Sequence, residues 1–148
     1  MIRTLVAGGL LAAALSSVCA QAQQTGNPLD TKAAIQTCSG IVTDECVVRH
    51  FKDTQEASVI RGRVVFQNYC MLCHGAEGKG DGRAARLHMP PPFNLTLSTA
   101  PRDYISQVLR KGGEAMGRGK GMPPWGEQLT DEQINDTLNF LFAIRVRK

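Results

Sequence analysis

Cys70-Met71-Leu72-Cys73-His74 is the stretch of this chain best equipped for chemistry. Cysteines three apart lie on one face of a helical turn, so both thiols can act on one partner. The next residue is a histidine, which binds metals through either ring nitrogen. Three chemistries use such a set. A redox dithiol needs a thioredoxin-like strand pattern around it, and the sequence shows no strand alternation of any length. Half a zinc site needs two more ligands. Cys38, Cys46, His50 and His88 are the candidates, at spacings that match no zinc motif. The third is covalent attachment of haem c, for which C-x-x-C-H is the attachment pattern. Both thiols add to vinyl groups along one porphyrin edge, and His74 is then aimed at the iron.

The elements that must position these residues are helical. Val59 to Cys70 reads as a helix that runs into the motif. A Gly/Pro-rich stretch follows from Gly75 to Leu97, with Pro90-Pro91-Pro92 near its end. Asp103 to Lys111 reads as a helix ended by Gly112-Gly113. Thr130-Asp131-Glu132-Gln133 is a capping box, with Thr130 as N-cap. Ile134, Leu138, Leu141 and Phe142 then form one apolar stripe, and Arg145, Arg147 and Lys148 suit the negative end of the helix dipole. Upstream, Lys32 to Thr37 and Asp44 to Phe51 read as short helices. Cys38 and Cys46 would tie the turn between them as a disulfide, worth roughly 2.5 kcal/mol in the chain-entropy model. The expected class is all-α, with no internal repeat.

The 148 residues leave room for one domain. Hydrophobic residues at 43% and charged residues at 20% are a globular composition. Aromatics at 5% are thin for a core, which favours a staple or a cofactor. Arg3 followed by the uncharged run Leu5–Val18 and then Val18-Cys19-Ala20 has the layout of a secretory signal peptide. Cleavage is expected after Ala20 or Ala22, and the run is shorter than the roughly 20 residues of a spanning helix. The rivals are a lipoprotein signal acylated at Cys19, which Ser16-Ser17-Val18 matches poorly, and an uncleaved anchor. The expected organisation is a signal peptide over 1–22, a leader and extension over 23–58, and the principal domain over 59–148. Export to the periplasm agrees with both haem attachment and a disulfide. The net charge of +4 falls by one with the leader and is too diffuse for nucleic acid.

From Val59 to Arg145 the chain resembles the class I c-type cytochromes, the single-haem electron carriers of bacterial periplasms. Gly62 and Phe66 resemble the family's N-terminal helix signature, in which the glycine lets the C-terminal helix cross closely. Cys70, Cys73 and His74 match the haem motif. Gly121-Met122-Pro123-Pro124-Trp125 resembles the distal methionine loop. Leu129–Gln133 with Asn139-Phe140-Leu141 resembles the C-terminal helix. The region before Ser58 has no counterpart. The resemblance implies a small cytochrome c fold of three to five helices around one covalently bound haem.

It also implies a methionine as sixth ligand. Met71 lies inside the motif and cannot reach across; Met89 is close behind His74 and suits packing at the haem edge. Met122, with Met116 as the alternative, is favoured because Pro123-Pro124 stiffens its loop. A soft thioether favours ferrous iron and raises the potential. In the family a proline carbonyl supports the proximal histidine, here Pro91 or Pro92. His50 and His88 read as surface residues and Trp125 as pocket wall. The expected function is a periplasmic electron carrier, not an enzyme, cycling Fe(III)/Fe(II) with His74 and Met122 as iron ligands. The alternative is a haem c subunit of a larger periplasmic dehydrogenase or sulfur-oxidising complex, docked through the extension. A haem sensor or small peroxidase would need an open sixth site. Eight basic residues against three acidic ones lie between Lys79 and Lys120. Lys79, Arg83, Arg86, Lys111, Arg118 and Lys120 are either a rim that steers an acidic redox partner or a solvated surface.

Overall fold

The computed structural model describes residues 26–146; the signal-peptide region 1–22, Arg147 and Lys148 lie outside the described residues. Six α-helices occur among them: α1 (Thr31–Thr37), α2 (Asp44–His50), α3 (Gln55–Tyr69), α4 (Met71–His74), α5 (Arg102–Ala115) and α6 (Asp131–Ala143). Two 3-10 turns, Ala85–Leu87 and Leu95–Leu97, interrupt the long connection between α4 and α5. No strand forms among the described residues beyond one isolated bridge between Asn27 and Thr54. The all-α expectation holds at that level.

Side-chain caps set the helix starts. Asp30 accepts from Lys32 N–H and Ala33 N–H at α1, and Thr43 from Cys46 N–H at α2. Thr54 accepts from Ala57 N–H, so α3 begins four residues before the expected Val59. At α6 the capping box is complete: Thr130 Oγ1 accepts from Gln133 N–H and Gln133 Oε1 accepts from Thr130 N–H. Each such cap satisfies backbone donors that the helix itself leaves open.

α3 and α6 pack across each other. Their crossing is as close as the sequence suggested, because Gly62 has no side chain: a Cβ there would stand 1.9 Å from the Asp136 carbonyl oxygen. Phe66 of α3 meets Phe140 of α6 with ring centroids 5.1 Å apart. Val65, Leu109, Leu129, Ile134, Leu138 and Leu141 complete the core with Cys70. Truncating a ring such as Phe66 in this setting costs about 3–5 kcal/mol. Phe142 departs from the expected stripe. It is only half-buried, with the Arg145 guanidinium 3.7 Å above its ring centroid. Its place in the core goes to Phe140, and α6 also buries polar groups.

Those groups form a network with α3. Asp136, 3% exposed, accepts from Ser58 Oγ, from Arg61 Nε at 2.7 Å and from Arg61 Nη2 at 3.0 Å. Asn139 Nδ2 donates to Ser58 Oγ at 2.7 Å. Arg61 also donates to the Lys52 carbonyl at 2.8 Å, linking the network to the upstream segment. That segment is held further by an Arg63–Asp44 ion pair, by Leu29 N–H on Glu56 and by Gln55 N–H on the Asn27 carbonyl. Cys38 and Cys46 form the expected disulfide between α1 and α2.

Candidate functional site

The two motif cysteines sit where two helices abut. Cys70 ends α3, its N–H donating to the Phe66 carbonyl at 2.9 Å, and starts the single turn α4. His74 N–H returns to the Cys70 carbonyl at 2.9 Å, closing that turn. Both thiols are free. Cys70 is 7% exposed, and burial foremost, with Cys73 beside it, pushes its thiol up to about 12. A thiol so held is neutral, the reverse of the lowered value a redox dithiol needs.

His74 lies at the end of α4. Burial holds its imidazole below the ordinary value, with the Phe93 backbone working against it, so the neutral, ligating form is favoured. Its Nδ1 is buried without a partner at hydrogen-bond geometry. The backbone that bears on the ring is that of Phe93, one residue beyond the Pro91 and Pro92 expected in that role.

The Met122 loop folds onto the same region. α5 loses helical geometry at Gly112, whose φ of 78° suits glycine. The missing side chains of Gly112 and Gly113 leave room for the loop: a Cβ on Gly112 would lie 2.9 Å from the Met122 carbonyl oxygen. Gly113 N–H donates to that oxygen at 2.8 Å, and Trp125 N–H donates to the Leu109 carbonyl at 2.9 Å. Met122 and Trp125 pack against the core cluster that contains Cys70, and Trp125 meets Tyr69 edge-on. Met116 caps the end of α5, half-buried and outside that cluster.

The remaining sequence candidates separate. His50 is exposed at the end of α2. His88 is half-buried and its Nε2 lies 3.6 Å from Cys73 Sγ, a contact that no local signal in the sequence announces. Met89 is 90% exposed. Met71, Leu72, Leu87 and Phe93 are also exposed apolar side chains in the segment around the motif. An open depression of about 530 Å³ beside the turn is lined by residues that include Met71, Leu72, Asp81 and Arg83. Within the basic set, Lys79 pairs with Glu77 and Lys120 with Glu114, while Arg118 donates to Tyr104. Lys111 donates to Gln107, so four of the six rim residues are engaged locally.

Among the described residues no helix is long and apolar enough to cross a membrane. A chain of the reducing HAO-like protein complex of Kuenenia stuttgartiensis shares the fold, with a TM-score of 0.52 and 19% identity over 62% of this chain. The match spans 45% of that chain's length. The family model for cytochrome c oxidase, cbb3-type, subunit III matches residues 57–141, from the first turn of α3 into the last turn of α6. That match corrects the family expected from sequence, the class I monohaem cytochromes c. The expectation rested on short strings at Gly62 and Phe66 of α3, the motif, the Met122 loop and α6, whereas the match runs through the whole span including the connections. The chain belongs to the family of cbb3-type cytochrome c oxidase subunit III.

Proposed function

We propose that the chain is an electron-transfer subunit of a larger periplasmic redox complex, carrying one haem c through Cys70 and Cys73. His74 and Met122 would be the iron ligands, and the helices α3 to α6 would pack around the haem. The observation that carries this reading is the meeting of the C-x-x-C-H turn and the Met122 loop on one core. Three further features support it. The two free thiols share one helical turn. His74 is half-buried at the end of that turn, and burial holds its imidazole below the ordinary value, which favours the neutral form that ligates iron. Exposed apolar side chains around the motif provide the surface a flat hydrophobic group would cover.

Haem held by these residues would supply one-electron Fe(III)/Fe(II) exchange, and a thioether ligand together with histidine would raise its potential. The chain's own task is to hold and shield. Cys70 and Cys73 fix the group covalently, α4 aims His74, and the Gly112-Gly113 break seats the Met122 loop. A filled sixth position suits electron transfer over ligand chemistry, so no substrate step is assigned to the chain. The family name is that of an oxidase subunit, which favours the assembly reading over a freestanding carrier.

The test is an absorption spectrum of the purified protein in both oxidation states, with the mass of the chain from a host competent in haem attachment. One haem per chain is expected, on Cys70 and Cys73, with low-spin His/Met features. A mature chain with no haem mass and both thiols alkylatable overturns the reading. Native mass from the source membrane or periplasmic fraction should place the chain in a larger assembly; a monomer would return it to a freestanding carrier.

A further inference from the structure

Two stiff pieces of backbone meet at His88. The first is the segment after the motif, which is laced to the attachment turn. Gly80 N–H donates to the His74 carbonyl at 2.8 Å, Gly82 N–H to Cys73 at 3.2 Å and Ala84 N–H to Leu72 at 3.0 Å. It ends in the 3-10 turn Ala85–Leu87, and His88 is that turn's C-cap. The second is the Met122 loop, held from behind by α5 through Gly113 N–H on the Met122 carbonyl.

The His88 ring fills the space between them. Its Nε2 is 3.6 Å from Cys73 Sγ. On its other side it lies directly on Gly121: a Cβ there would stand 2.4 Å from His88 Nδ1 and 2.8 Å from Cγ. Two residues on, the Pro90 ring takes the space of a side chain at Gly119, 2.8 Å from Cδ to where a Cβ would be. The residue next to Met122 is therefore in contact with a ring whose far side touches an attachment cysteine.

We propose that His88 is a positioning residue for the sixth ligand: its ring sets the separation between the haem-attachment turn and the Met122 loop. The inference rests on the haem reading with Met122 as ligand. A thioether is neutral and a weak ligand, so how well it stays on iron depends on how few other positions its loop can take. With α5 behind the loop and the His88 ring beside Gly121, withdrawn positions are blocked on two sides.

The test uses the full haem-loaded chain and three variants, His88→Ala, His88→Phe and Gly121→Ala. Haem content is read by mass, helix content by circular dichroism, and ligation by the weak far-red band of methionine on ferric haem. Carbon monoxide binding to the ferrous form and the reduction potential complete the set. His88→Ala and Gly121→Ala should keep covalent haem and helix content. Both should weaken the far-red band, admit carbon monoxide where the parent excludes it, and lower the potential. His88→Phe keeps a ring and should retain the band. A His88→Ala protein with the parent's band, potential and carbon monoxide exclusion overturns the proposal, as does equal loss in His88→Ala and His88→Phe. If His88→Ala fails to fold, Gly121→Ala probes the same contact from the other side, and parental behaviour there overturns it equally. A parent that carries haem without the methionine band fails at the Met122 reading instead and takes the inference with it.

Discussion

The indole of Trp125 meets the ring of Tyr69 edge-on, with centroids 5.4 Å apart and planes at 69°. Tyr69 is the last residue of α3 and precedes Cys70 directly. Trp125 closes the Met122 loop, anchored by its N–H on Leu109. One aromatic contact thus joins the Cys70–His74 turn to the loop of the proposed sixth ligand, and it buries apolar surface from both.

That geometry separates the two candidate methionines. Met122 packs against the core shared with Cys70, whereas Met116 ends α5 outside it. Met122→Ala should abolish the far-red ferric band, lower the reduction potential and let carbon monoxide bind the ferrous form. Met116→Ala should do none of these. Reversed results would move the ligand to Met116; silence from both would turn attention to His88 or His50 and a lower potential.

Gly62 makes a second prediction sharp. A Cβ at 1.9 Å from the Asp136 carbonyl oxygen collides with backbone, which cannot swing aside as a side chain could. Overpacking of this kind costs about 1–3 kcal/mol, and the rigid partner puts Gly62→Ala at the upper end of that range. Denaturant unfolding at 25 °C measures it. A midpoint equal to the parent's would mean the helices do not cross this closely.

How much of this was legible in the sequence depended on distance along the chain. The α6 capping box lies within four residues, and Thr130 and Gln133 pair as read. The Cys38–Cys46 link is also local. The start of α3 was missed because Thr54 caps it without an acidic or amide partner at Ala57, and the apolar pattern begins only at Val59. The contact of His88 with Cys73 and Gly121, and of Ser58 with Asp136, joins residues far apart in sequence, and no periodicity encodes such pairs. The basic run from Lys79 to Lys120 showed its charges but not their local partners, Glu77 and Glu114. The family was misjudged for a related reason: short motifs record the chemistry of a site, while the connections between them carry the lineage.

The disulfide should matter for stability and not for the proposed haem site. It joins α1 to α2, and the motif lies beyond α3. A Cys38→Ser/Cys46→Ser double variant should lose up to roughly 2.5 kcal/mol. The loss should fall short of that figure, because buried Val47 and the Arg63–Asp44 pair hold α2 independently. The absorption spectrum should be that of the parent. A changed spectrum would show that the upstream segment reaches the haem site. Peptide mapping without reductant should find the two cysteines joined.

Asp136 is the remaining test, because it ties the crossing to the upstream segment through one side chain. Its carboxylate accepts from Ser58 and takes two bonds from Arg61, which in turn donates to the Lys52 carbonyl. Removing one partner of a fully buried pair costs roughly 3–5 kcal/mol. Here the Arg61 side chain is 28% exposed, so water can solvate part of the released guanidinium. Glu132, 3.7 Å away, also offers a weak substitute. Asp136→Ala should therefore cost about 2 kcal/mol, below the buried-pair range. Asp136→Asn should cost less, since an amide oxygen still accepts from Ser58 or Arg61. A second effect follows from Lys52: with Arg61 freed, hydrogen exchange over residues 43–53 should quicken, while that of α6 beyond Phe140 stays slow. If Asp136→Ala unfolds at the parent's denaturant midpoint and exchange near Lys52 is unaltered, the network contributes nothing to the crossing, and apolar packing around Phe66 and Phe140 holds α3 to α6 alone.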